Sequence, residues 1–153
     1  MCHPNKPGKF SIVFNCGAEQ YGTRLNKELL SGPDLSCQLI GVLMRFREEE
    51  IAVICDIEKM FYQVLVPPQQ RSFLKLLWWE NGDLTKSIIE YQMTVHVFGA
   101  TSSPSCSNYA LKRTAQDNAQ YYDSEVASTI FNNFYVGDLL TSVNSVEQCV
   151  SLI

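Results

Sequence analysis

The ten residues Asn132 to Thr141, N-N-F-Y-V-G-D-L-L-T, constrain this chain more than any other stretch. An aromatic and apolar run reaches Tyr135-Val136, reverses at Gly137-Asp138 and leaves through Leu139-Leu140. That is the pattern of two short strands joined by a tight turn, with glycine at the reversal where the backbone is most restricted. The hairpin carries a carboxylate, Asp138, at its tip. Upstream, Ile51 to Cys55 is an apolar run of strand length, which predicts a buried central strand, and it ends on a second carboxylate, Asp56. Two acids, each at a strand end, are the first candidates for a metal site.

The remaining elements are legible at lower contrast. Lys9 to Cys16 alternates Phe10, Ile12 and Phe14 onto one face and predicts a strand. Ser36 to Glu48 predicts a helix, with Leu39, Leu43 and Phe46 on the apolar side, Ile40 and Met44 beside them, and Arg45 and Arg47 pointing away. Gln63 to Val66 reads as a short strand stopped by Pro67-Pro68. Phe73 to Trp79 and Ile88 to Val95 read as two strands joined through the turn dipeptide Asn81-Gly82. Ser102-Ser103-Pro104 opens a helix to about Ala119, because proline costs nothing in a first turn. A helix over Asp123 to Phe131 leads into the hairpin, and Ser145 with Gln148 caps a last one. The sum is one α+β unit over residues 1–153 with a mostly antiparallel sheet.

With 153 residues, 46% of them hydrophobic and 18% charged, the chain has the composition of a folded domain. Its net charge of −4 is unevenly spread: residues 1–47 sum to +3 and the remainder to −7. An acidic total disfavours nucleic-acid binding through phosphate neutralisation, although the basic first third is less contrary. The six cysteines never approach within a C-x-x-C spacing, His96 has no nearby cysteine in sequence, and His3 has only its neighbour Cys2, which disfavours a zinc site. Free thiols in a reducing compartment are expected. Met1 to Phe10 is polar, unlike a secretory leader, and no apolar run reaches the roughly twenty residues of a membrane span. A soluble, intracellular, non-membrane protein is expected.

Several motifs add up in order and spacing. Cys55 to Val66 contains D-x-x-x-x-[FY]-x-x-[VI]; Phe98 to Cys106 reads F-G-A-T-S-S-P-S-C; Tyr135 to Asp138 reads Y-V-G-D. Around them stand K-P-G-K-F-x-I-V-F, L-N-x-x-L-L-x-G-P-D-L, G-V-L-x-R-F-R, L-W-W and Y-x-M-T-V-H-x-F-G-A-T-S-S-P-S-C. Over nearly its whole length the chain resembles the reverse transcriptases of Pao/BEL-type LTR retrotransposons. The resemblance implies a palm-type polymerase fold with helices on one sheet face and part of the fingers. It implies RNA-directed DNA polymerisation by two-metal phosphoryl transfer on an RNA or DNA template-primer with dNTP substrates.

By the same resemblance Asp56 and Asp138 would be catalytic, and Asp56, Asp138 and the Ile57 carbonyl would ligate Mg²⁺. Phe61 would gate the ribose 2′-hydroxyl. Phe98 and Gly99 would form the floor under the nucleotide, Lys9 would reach its phosphates, and Tyr135 and Val136 would lie against the primer end. Three departures matter more than these matches. Gly137 stands where the family's Tyr-x-Asp-Asp hairpin has its first aspartate, the ligand that bridges both ions. Ser11 replaces an arginine, and a hydroxyl cannot stand in for a planar cation at phosphate. Asn15 replaces an aspartate. A polymerase-derived fold with impaired catalysis is expected, lacking thumb, RNase H, protease and integrase modules. The rival readings are a domesticated module that binds nucleic acid or protein, and a pseudogene product.

Residue by residue, plainer readings stand beside these. Asp56 reads as a strand-end cap and Asp138 as a turn aspartate if the motifs are ignored. Trp78-Trp79 reads as strand packing before base stacking. Arg45, Arg47, Lys112 and Arg113 read as solvated helix faces, and His96 as a structural histidine. Lys9 and Arg24 remain candidates for phosphate contact.

Overall fold

The structure, a computed structural model, describes residues 13–152. Its helices are α1 (Leu25–Glu28), α2 (Leu39–Arg45), α3 (Ser103–Asp117), α4 (Ser124–Asn133) and α5 (Val146–Leu152). Its strands are β1 (Ile51–Asp56), β2 (Lys75–Trp79), β3 (Ile88–Gln92), β4 (Phe134–Tyr135) and β5 (Asp138–Val143), with short 3₁₀ segments among the elements. Every strand pair is antiparallel, so the class is α+β. Among the described residues no helix is long and apolar enough to cross a membrane.

Contacts divide the chain into two units, each assembled from two separate segments. One comprises the chain up to Ser31 together with Phe61–Ser103, and the other Gly32–Met60 with the chain from Pro104 onward.

The first unit is built on the hairpin β2–β3, whose register pairs Lys75 with Gln92 and Trp79 with Ile88. Its core is small: Cys16, Val66, Leu74, Val97 and Ala100 are buried, with Phe14, Leu25, Leu29 and Met93 packed against them. Asn81 and Gly82 both adopt positive φ, as the sequence chemistry demands. They do not form a two-residue turn, because Glu80–Gly82 is a 3₁₀ turn and strand pairing resumes only at Ile88. The strand expected over Gln63–Val66 shrinks to one bridge between Leu65 and Val95 after a 3₁₀ turn at Met60–Gln63. Proline at 67 leaves too few residues for a ladder. Half of the strand expected over Lys9–Cys16 falls outside the described residues, and its described end runs into a turn at Cys16-Gly17.

The second unit holds the three-stranded sheet, in the order β1-β5-β4. β1 is therefore an edge strand among the described residues and not the central one. Its apolar run alternates between buried Val53 and Ile54, which is 65% exposed. Helix α2 is shorter than the run Ser36–Glu48, and its buried residue is Val42, while Leu39, Ile40, Leu43 and Met44 are exposed. Arg45 does not point to solvent; its guanidinium bonds to Asn133. Helices α3, α4 and α5 lie close to expectation. The Ser145 hydroxyl accepts the Gln148 N–H at 3.2 Å, and the Gln148 carboxamide accepts the Asn144 N–H at 3.1 Å, capping α5.

Gly99 has φ +107, and a Cβ there would lie 1.9 Å from the Phe14 carbonyl oxygen, a backbone atom that cannot swing aside. Gly99→Ala should therefore lower the unfolding free energy in urea melts by about 3 kcal/mol or more.

Burial pushes the His96 imidazolium to lower pKa. The unfolded chain then binds a proton below about pH 6.5 that the folded chain resists, so stability is full above that pH and declines below it. His96→Gln should flatten this part of the stability profile. Asp34, Asp83 and Glu147 are lowered by hydrogen bonds, chiefly from the Ser36 amide, the Thr85 hydroxyl and the Glu147 amide respectively. Their contributions are lost only near and below pH 4.

Candidate functional site: a carboxylate row at a hairpin tip

The antiparallel register sets Asp56 directly opposite Asp138, and Tyr135 opposite Asp138 on the other side. Directly opposed residues project from the same face with Cβ atoms about 4.5–5.5 Å apart. The three side chains thus form one row across β1, β5 and β4. Strand alternation fixes which face it is. Leu139, Thr141 and Val143 are buried on β5, as is Val53 on β1, so Asp56 and Asp138 project from the opposite, open face. Both carboxylates are exposed.

The hairpin turn is Val136-Gly137, and its backbone departs from expectation. Val136 has φ +57 and takes the left-handed conformation, whereas Gly137 does not. A β-branched residue in this region is strained, by roughly 1–2 kcal/mol for an L-residue. The freedom of glycine is left unused at position 137. What glycine does provide is space beside a carboxylate: a Cβ there would lie 3.6 Å from Asp56 Oδ1 and 3.5 Å from Met60 Sδ. Those are ordinary contact distances, so a side chain can be accommodated and would start beside Asp56. The Gly137 carbonyl accepts the Ile57 N–H at 3.0 Å, tying the turn to the end of β1. The Ile57 carbonyl accepts the Met60 N–H at 3.1 Å, which leaves one of its two lone pairs.

A polar network missed by the sequence reading backs the hairpin. Arg45 Nε donates to Asn133 Oδ1 at 2.6 Å, and its NH2 donates to the Asn132 carbonyl. Asn133 Nδ2 in turn donates to Thr141 Oγ1 at 2.7 Å. Asn133 and Thr141 are buried, at 7% and 5% exposure. Ser142 Oγ donates to the Arg45 carbonyl at 2.7 Å and accepts the Glu49 N–H at 3.0 Å. The only sequence signal for this network was the arginine in G-V-L-x-R-F-R and the Asn132-Asn133 pair. Arg45 and Glu49 lie about ninety positions from their partners in it, beyond the reach of local patterning.

Phe61, Phe98 and Gly99 belong to the first unit. Phe61 and Phe98 are brought together, with ring centroids 4.7 Å apart, and Tyr62 meets Phe98 edge-on at 5.3 Å. Gly99 is held by Asn26, whose Nδ2 donates to the Gly99 carbonyl while its Oδ1 accepts the Thr101 N–H, both at 2.9 Å. Asn15 is exposed and opens a turn closed by the Ala18 N–H. Lys9 and Ser11 lie outside the described residues, and Arg24 is exposed.

The other singled-out groups have internal partners. Lys112 does not face solvent freely: its Nζ donates to the Leu35 carbonyl at 2.7 Å and sits 6.0 Å from the Phe131 ring centroid. Arg113 pairs with Asp117. Trp78 and Trp79 make an edge contact at 5.1 Å, with Trp78 half exposed. An apolar cavity of about 300 Å³, lined by Leu111, Ala115, Tyr122, Val126 and Ile130 among others, contains none of the candidate residues.

Two exposed carboxylates on one row fit a single hard divalent cation of the magnesium type. Such an ion retains several waters and takes only one or two carboxylates from protein. They do not fit a closely spaced pair of ions, which needs a bridging ligand. Among the described residues no group of three or more His, Cys, Asp or Glu side chains is arranged to hold a metal.

Val136→Asn should raise stability by about 1 kcal/mol, because asparagine tolerates the left-handed region. Val136→Ile should not; denaturant melts of both variants check this. No protein-family model, curated protein or solved structure matches the chain.

Proposed function

We propose that the chain is a reverse-transcriptase-like fingers–palm unit of a Pao/BEL-type retrotransposon polyprotein, descended from an RNA-directed DNA polymerase and catalytically impaired. The observation that carries this reading is the in-register pair Asp56 and Asp138 on an exposed sheet face, with the Cβ direction of Gly137 in contact with Asp56 Oδ1. A third carboxylate at 137 would complete the acidic cluster on which phosphoryl transfer by paired magnesium ions depends. With glycine there, Asp56 and Asp138 remain as the ligands proposed for magnesium, with the Ile57 carbonyl added by the resemblance.

When bound, magnesium would supply charge neutralisation for a triphosphate and activation of a primer hydroxyl. The chain's own residues have narrower tasks. Asp56 and Asp138 present negative charge from a rigid strand pair. Tyr135, next in the row, offers an apolar ring at the position the resemblance gives to the primer end. Phe61 and Phe98, in mutual contact, are the residues proposed to shape the nucleotide pocket. Glu58 does not replace the missing ligand, because glutamate at position 58 is ordinary in the family resembled and is not a metal ligand there.

Loss of a bridging carboxylate removes several kcal/mol of transition-state stabilisation, and about 1.4 kcal/mol corresponds to a tenfold change in rate. Primer extension on poly(rA)/oligo(dT) with Mg²⁺ or Mn²⁺ tests the reading. The expected result is that Gly137→Asp extends primer about 10³-fold faster than the unaltered chain. Robust extension by the unaltered chain would overturn the claim of impairment. Salt-sensitive duplex binding with no extension by either chain would favour a non-catalytic binding module.

A further inference from the structure

We propose that Arg45 is the positioning residue of the carboxylate hairpin, acting through Asn133 on both of its legs. The geometry is specific to a guanidinium. Two N–H groups from one planar fork reach two acceptors on adjacent residues, the Asn132 carbonyl and Asn133 Oδ1. Asn132 and Asn133 are the last two residues of α4, and Phe134 begins β4, so this fork fixes the entry to the first leg. Asn133, with its oxygen held by Arg45, must present its NH₂ to Thr141 Oγ1 on the second leg. Asp138 lies three residues from Thr141 on that strand.

Three further facts single out Arg45. Its guanidinium reaches the C-terminal end of α4, where unsatisfied carbonyls favour a cation. Among the described residues, neither ion pair involves it, so its charge is matched by neutral acceptors and by the helix end. Its own carbonyl is gripped by Ser142 Oγ on β5, so α2 cannot withdraw without disturbing that strand. The α2 end, the α4 end and β5 thus form a closed loop of hydrogen bonds around the strand that carries Asp138. A lysine could supply the charge but not the fork.

The purpose of this positioning, holding Asp138 opposite Asp56 for a divalent ion, rests on the function proposed above; the mechanical claim does not. Amide hydrogen exchange by NMR separates the two. The Ile57 N–H, bonded to the Gly137 carbonyl, reports whether the turn stays seated on β1. The Asn118 and Cys149 amides, bonded within α3 and at α5, report general loosening of the same unit.

Arg45→Gln should speed Ile57 exchange at least about tenfold while moving the two reference amides less than about twofold. Thr141→Val should act in the same direction, and Arg45→Lys should fail to restore full protection. Equal acceleration at all three amides, no change at Ile57, or complete rescue by lysine would each overturn the proposal. The second arm adds Mn²⁺ alone, followed by EPR, in the Gly137→Asp background. There Arg45→Gln should weaken Mn²⁺ binding about tenfold or more, and unchanged binding would overturn the link from fork to carboxylate. Failure of Gly137→Asp itself to bind Mn²⁺ would sink the metal reading of the site, and the exchange results would still decide the role of Arg45.

Discussion

The pairing of β1 with β5 is the constraint on which the candidate site depends. In the observed register Ile51, Val53 and Cys55 oppose Val143, Thr141 and Leu139, and Asp56 opposes Asp138. A slip of one residue would turn the buried set outward and bring a carboxylate into the packed face. The register therefore follows from apolar burial, and the carboxylate pair follows from the register. Two like charges directly opposed on neighbouring strands are destabilising. Water on the open face screens their repulsion and keeps that cost small.

That repulsion has a companion in the turn. The chain places valine where the backbone is left-handed and glycine where it is not. Both features break local rules at one spot, and local rules are most often broken where geometry serves something other than stability. The surrounding structure supports the hairpin from its base. Arg45, Asn133, Thr141 and Ser142 link α2, α4 and β5 through four side-chain hydrogen bonds. Such a network is worth having only when each member is satisfied, since a buried amide without partners is costly.

The first unit solves a different packing problem by similar means. Its buried core is small, and a two-stranded hairpin has little stability alone. Close backbone approach compensates. Gly99 lets the chain pass within contact of the Phe14 carbonyl, and the Asn26 carboxamide ties both sides of that passage. The glycine in F-G-A-T-S-S-P is thus demanded by local sterics, whatever else the motif does.

Period and punctuation by themselves determined the α+β class, the helices α3, α4 and α5, the strand ending at Asp56 and the hairpin bearing Asp138. Those features arise from contacts among near neighbours: alternation, a first-turn proline, a serine cap. Tertiary structure decided what depends on distant partners. It made β1 an edge strand, because β5 lies between β1 and β4. It turned Arg45 inward, because Asn132 and Asn133 lie eighty-seven and eighty-eight positions away. It assigned the left-handed turn residue to Val136, because the strand registers on both sides fix the φ values between them. The sequence placed two carboxylates at two strand ends. Only the pairing of those strands set them side by side, since a register is a property of two segments and neither one contains it.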